Sequence, residues 1–152
     1  MKAKIETPGM PQQLETLRHS CAHIMAHAVT SLYPDARVTI GPSTEDGFYY
    51  DFARPSPFTE EDLARIADRM REIVQADQPF VREEQPREEA IRFYEKLGEP
   101  FKVEILKEIQ DPVVSFYREG DFVDLCRGPH LPSTGKVEHF RPEPPPKPRH
   151  RI

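Results

Sequence analysis

An α+β fold, a mostly antiparallel sheet packed with two to three helices, is what this sequence predicts. Two observations carry that reading. Three segments repeat apolar residues at three- and four-residue steps, the period of a helix buried along one face. Between and after them run short stretches rich in Val, Phe and Tyr, separated by turn residues.

The elements follow in order. From about Gln12 to Tyr33, the residues Leu14, Leu17, Cys21, Ile24, Ala28 and Leu32 recur at helical spacing, and Pro34 ends the helix. ARVTIGP and GFYYDF read as two strands joined by the turn-rich PSTEDG. A second helix starts after Thr59, whose hydroxyl can cap it, while Glu60, Glu61 and Asp62 suit the positive end of its dipole. Its stripe is Leu63, Ile66, Met70, Ile73 and Val74. FVREE suggests a short strand, and PREEAIRFYEKLG a third helix with Pro86 in its first turn and Gly98 at its stop. FKVEIL, VVSFY and DFVDL are three more strand candidates. The domain expectation is an N-terminal arm (1–11), one folded domain (12–140) and a Pro-rich basic tail (141–152), extended and mobile.

Composition sets outer limits. At 152 residues the chain can bury a core without disulfide staples. No apolar run approaches a membrane span, and MKAKIETPGM lacks the apolar segment of a signal peptide. With two cysteines and no export signal, the expected compartment is the reducing cytoplasm. A formal charge of −5 argues against general nucleic-acid binding, though not against a local basic patch.

Two short stretches concentrate the chemistry. LRHSCAHIMAHAV carries His19, His23 and His27; VDLCRGPH carries Cys126 and His130. Residues four apart on a helix lie nearly on one line, so His19 and His23 share a stripe with His27 at its edge, turned away from the apolar stripe. Gly128 and Pro129 make a helix unsuitable at the second stretch, so Cys126 and His130 lie across a tight turn at a strand end. By itself the His pair reads more readily as solvated or capping, and the cysteine as a small buried hydrophobe. Together, two His on a helix with Cys and His on a turn are a ligand set of the kind zinc takes.

The runs RHSCAHIMAHA, IGPSTEDGFYYDF and VDLCRGPH, in that order, resemble the editing domain of bacterial-type threonyl-tRNA synthetases over roughly Leu14 to Phe140. The alanyl-tRNA synthetase editing domain is related; Arg-Gly-Pro between Cys and His, and GFYYDF, fit the threonyl branch. The resemblance implies the fold of the second additional domain of these synthetases. It also implies an enzyme, an aminoacyl-tRNA deacylase that hydrolyses Ser-tRNA(Thr) and spares Thr-tRNA(Thr). A synthetase rejects serine weakly, because one methyl is worth only about 1–3 kcal/mol, so a second site that excludes threonine by size corrects the error.

The resemblance also assigns roles. His19 activates water, for which histidine's ordinary titration near neutral pH is suited. Lys102 orients water or stabilises developing charge. His23, Tyr50, Asp124, Cys126 and His130 line the substrate pocket; His27 fits neither motif position and reads as structural or peripheral. Arg127 and Arg18, with Arg141, Lys147, Arg149 and Arg151 of the tail, are candidates for phosphate contacts near the tRNA acceptor end. No ATP is needed. The alanyl relatives hold zinc through this plan, which makes His19, His23, Cys126 and His130 the candidate metal set; the threonyl branch points to a site requiring no cofactor.

The sequence lacks the other synthetase domains, so the expectation is a freestanding protein editing in trans beside a threonyl-tRNA synthetase that lacks its own editing domain. An excised domain is the alternative. The competing functions are an inactive tRNA- or synthetase-binding module and a deacylase of relaxed tRNA choice that takes Ser-tRNA(Ala).

Overall fold

A computed structural model describes residues 2–4, 11–38, 43–44, 47–49, 52–54, 56–126, 128–138 and 140–143. The predicted Tyr50 and Arg127, and the tail from 144 onward, lie outside the described residues. The architecture is α+β, with antiparallel pairing throughout the described strands.

The first helix, α1 (Pro11–Leu32), carries every histidine of the first stretch. Its middle, from Ser20 to Val29, is buried all the way round, so the expected division into a core face and a solvated histidine face does not hold. Its last turn opens to solvent, which leaves Leu32 exposed despite its place in the apolar stripe. The second helix, α2 (Glu60–Ala76), is capped as expected: Asp62 N–H donates to Thr59 Oγ1 (3.1 Å) and Thr59 N–H to Asp62 Oδ2 (2.9 Å). Ile66, Met70 and Ile73 of α2 join Leu17, Cys21, Ile24, Met25, Ala28 and Val29 of α1 in one core cluster. Cys21 is fully buried there and burial raises its thiol pKa, so it is a packing residue.

A second cluster forms around α3 (Arg87–Leu97) and α4 (Pro100–Glu108). FKVEIL is therefore a helix and not the expected strand. Phe101, Val103 and Ile105 alternate in sequence, but Pro100 suits a first helical turn, and Lys102, Val103 and Leu106 bury together at helical spacing. That makes four α-helices among the described residues where two to three were expected.

The N-terminal arm contains structure: β1 (Lys2–Lys4) is a strand. The predicted ARVTIGP/GFYYDF pairing is found in one short ladder, while part of GFYYDF pairs instead with residues of PSTEDG, the segment expected to be the turn. β2 (Arg37–Val38) pairs with β5 (Phe52–Ala53), and β3 (Ser43–Thr44) with β4 (Gly47–Tyr49).

Three further strands connect the two core clusters: β6 (Val81–Pro86), β7 (Val113–Glu119) and β8 (Phe122–Leu125), in the order β6-β7-β8. On β7, Val114 and Phe116 enter the second cluster; burying Phe116 is worth roughly 2–3 kcal/mol. On β8, Phe122 packs on the first cluster, and Val123 and Leu125 on the second. The last strand, β9 (Arg141–Glu143), pairs with β1, which itself pairs with β4. The predicted mobile tail thus opens as a paired strand.

Past β8 the chain is anchored to the end of α2. Thr134 Oγ1 donates to Ile73 O (2.8 Å) and accepts from Gln78 N–H (3.0 Å), Thr134 N–H donates to Gln78 O (2.9 Å), and Phe80 N–H donates to Pro132 O (3.1 Å). These bonds fix the level at which His130 meets α1.

Candidate active site

Three side chains of α1 at steps of three and four, Ser20, His23 and His27, meet β8, the 126–131 turn and the end of β7. His27 Nδ1–H donates to Glu119 Oε1 (2.6 Å), Nε2 lies 3.2 Å from the exposed Asp121, and the ring stacks on Phe122. These contacts tie α1 to the end of β7 and to β8. Burial raises the Glu119 pKa, against the pull of its hydrogen bond from His27.

His23 is 2% exposed, boxed edge-on by Phe80, Phe122 and His130 at 5.0–5.3 Å. Neither of its ring nitrogens has a hydrogen-bond partner among the described residues, and Glu119 Oε1 lies 3.9 Å from Nε2. Burial lowers its pKa to about 4, with His27 and Lys102 adding to the shift and Asp124 opposing it. His23 is neutral at pH 7.

The turn seats His130 beside it. The 126–131 turn needs glycine at 128: its φ is +75°, and a Cβ there would fall 2.2 Å from Tyr117 Oη. Tyr117 in turn meets the His130 ring edge-on at 4.2 Å, and Phe80 stacks on it at 4.9 Å. His130 Nδ1 lies 3.1 Å from Ser20 Oγ, which also accepts from Leu131 N–H (2.8 Å). Burial first, then the neighbouring His23 and His19, hold the His130 pKa down to about 3.

Cys126 follows β8 directly. Its carbonyl accepts from Ser115 Oγ (2.7 Å), Gly128 N–H donates to its sulfur (3.3 Å), and His19 Nδ1 stands 4.0 Å from that sulfur. Burial pushes the thiol pKa up, so it is protonated at neutral pH. His19 is the most open of the three α1 histidines, with Glu15 Oε1 3.7 Å from Nε2. His19 and Cys126 line a cleft of ≈820 Å³ with Ser115, Leu125, Ile105 and Arg82. That size is within the range of small-molecule sites, about 300–1,000 Å³.

Lys102 and Asp124 are both buried and joined, Nζ to Oδ1, at 3.0 Å; the same oxygen accepts from Leu125 N–H (2.9 Å). Their charges act on both His23 and Cys126. Asp124 lines a second cleft of ≈510 Å³ with Tyr94, Phe122, Val123 and Arg118. The structure thus brings His19, His23, Cys126 and His130 together, with the Lys102–Asp124 pair beside them, and spreads their open faces over two clefts.

The four zinc candidates do not gather as one ligand set. His23 is enclosed by rings, and His130 Nδ1 is engaged by Ser20. Among the described residues no three His, Cys, Asp or Glu side chains converge to hold a metal ion.

Sequence reasoning passed over Ser20, Tyr117 and Glu119. A signal was present: in β7, Ser115, Tyr117 and Glu119 alternate with Val114 and Phe116, and these three meet Cys126, His130 and His27. Ser20, too, lies three residues before His23.

Residues 114–142 match the family described as the threonyl and alanyl tRNA synthetase second additional domain. A threonine–tRNA ligase of Paramagnetospirillum magneticum is 58% identical over 125 residues, 82% of this chain and 20% of that protein. That of Rhodospirillum rubrum is 61% identical over 82% of this chain and 19% of its own length. That of Syntrophotalea carbinolica is 51% identical over 92% and 22%. The chain is similar to threonyl-tRNA synthetases. It spans about a fifth of the length of these relatives. The family match runs from β7 through the Cys126–His130 turn to Pro142 in the last described strand, so the matched segment includes the turn that supports the site.

Proposed function

We propose that this chain hydrolyses mischarged Ser-tRNA(Thr) in the cytoplasm and spares Thr-tRNA(Thr). One observation carries the reading. His19 lines a cleft with a protonated cysteine as its neighbour, backed by two neutral histidines and a buried Lys–Asp pair.

The reaction needs a positioned water, a proton acceptor and a charge to meet the oxyanion. His19 takes the proton as the water oxygen bonds to the ester carbonyl carbon. The Lys102 ammonium stabilises the negative charge on the carbonyl oxygen. The bond from that carbon to the ribose oxygen then breaks, His19 returns the proton to the ribose oxygen, and serine and free tRNA leave. Asp124 holds Lys102 and binds the ammonium or hydroxyl of the seryl group. His23, Cys126 and His130 wall the pocket, with Tyr50 near the terminal adenosine and Arg127 on phosphate. No ATP enters, and no metal ion is required by these steps.

Deacylation of labelled Ser-tRNA(Thr), beside Thr-tRNA(Thr) and Ser-tRNA(Ala), tests this. The expected result is loss of the seryl ester from tRNA(Thr) alone, abolished by His19→Ala. Loss from both seryl-tRNAs replaces the proposed specificity with a relaxed one. No loss from any of them overturns the enzyme reading in favour of a binding module.

A further inference from the structure

We infer that Ser20 holds His130 in the tautomer protonated at Nδ1, leaving Nε2 as a hydrogen-bond acceptor beside the candidate site. Ser20 is then a positioning residue for His130.

Counting protons decides the tautomer. A serine hydroxyl has one proton to give and two lone pairs. Ser20 Oγ has three neighbours: Thr16 O at 2.9 Å, Leu131 N–H at 2.8 Å and His130 Nδ1 at 3.1 Å. A carbonyl and a backbone N–H have fixed roles, so the hydroxyl gives its proton to Thr16 O, the back-bond to the preceding helical turn, and accepts from Leu131. Were the proton turned to His130 instead, two oxygens would face each other at 2.9 Å with no hydrogen between them. His130 must therefore donate through Nδ1.

The other nitrogen follows. His130 Nε2 is buried without a hydrogen-bond partner among the described residues, so a second N–H there would be an unpaired buried donor. Nε2 is thus a lone pair, in a ring neighbouring His19 and His23. Such an acceptor takes an O–H or N–H donor, and in the proposed reaction it keeps this wall of the site able to accept one. This last step rests on the deacylase reading; the tautomer does not.

Long-range proton–nitrogen correlation spectra of protein with 15N-labelled histidine test it, with His130→Gln identifying the signal. The expected wild-type signal is the Nδ1–H form at pH 7. Ser20→Ala shifts His130 toward the Nε2–H form and lowers kcat about ten-fold, and Ser20→Thr, which keeps the hydroxyl, restores both. A wild-type Nε2–H signal overturns the inference whatever the variants do. Unchanged Nδ1–H in a folded Ser20→Ala protein overturns the role of Ser20. An Nδ1–H signal that shifts in Ser20→Ala, in a protein without deacylase activity, supports the tautomer and overturns only the function.

Discussion

Lys102 and Asp124 stand 3.0 Å apart, Nζ to Oδ1, and both side chains are more than nine-tenths withdrawn from solvent. The pair joins α4 to β8, so one contact serves the second core and the candidate site together. Removing one partner leaves a buried charge alone. Lys102→Met should therefore cost about 3 kcal/mol, read as a lower urea midpoint. Lys102→Met with Asp124→Leu should recover most of that stability, because apolar replacements for a buried pair are tolerated, while deacylation stays down by about 100-fold or more. Recovery of activity in the double variant would remove both residues from the chemistry.

Gly128 and Gly98 separate two costs. Both have positive φ, +75° and +71°, but a Cβ at 98 meets nothing within 4 Å and one at 128 collides with Tyr117. Gly98→Ala should cost about 1 kcal/mol for backbone strain alone. Gly128→Ala should cost at least twice that and disturb the His130 ring, seen as a lower Tm with loss of activity. Equal costs at the two positions would contradict the close approach in the turn.

Acid should weaken the fold through the buried histidines. His23 falls to about 4 and His130 to about 3 in the folded state, from the ordinary value near 6.5. The unfolded chain binds protons first, so this contribution is complete above about pH 6.5 and is lost as pH falls through the folded values. Each histidine adds a slope of about 1 kcal/mol per pH unit between about pH 6 and 4. Urea unfolding across that range should show the decline, and His23→Phe should make it shallower. An unchanged slope would mean that His23 is charged in the fold.

Cys126 is predicted to be a wall and not a nucleophile. Its thiol pKa is raised by burial, so alkylation by iodoacetamide at pH 7 should be slower than for free cysteine. Cys126→Ala should retain activity to within about ten-fold, far above the loss expected on removing a nucleophile. Complete loss with an unchanged Tm would reverse the assignment.

Much of the fold was legible because the local signals agree with the packing. The Thr59–Asp62 cap, Gly98 as the stop of α3 and the turn at Gly128 each rest on a few residues whose own chemistry dictates the backbone. α4 was not legible: Phe101, Val103 and Ile105 alternate as a strand would, and beyond Pro100 it is the packing of Val103 and Leu106 in the second core, with Lys102 buried on the same helix, that decides for a helix. Lys102 shows the same limit. A lysine in that segment reads as solvated until Asp124, on a distant strand, is placed beside it. The enclosure of His23 likewise comes from Phe80 and Phe122, which no spacing in α1 announces.

The first and last described strands lie side by side, with Lys2 opposite Glu143 and Lys4 opposite Arg141. A short covalent bridge between those two segments would make the fold a ring, and the ring could be reopened at the exposed stretch between α4 and β7. The permuted chain would deliver the Cys126–His130 turn before the α1 histidines and still present the same neighbours to one another. Order of synthesis and geometry of the site are separable in this fold.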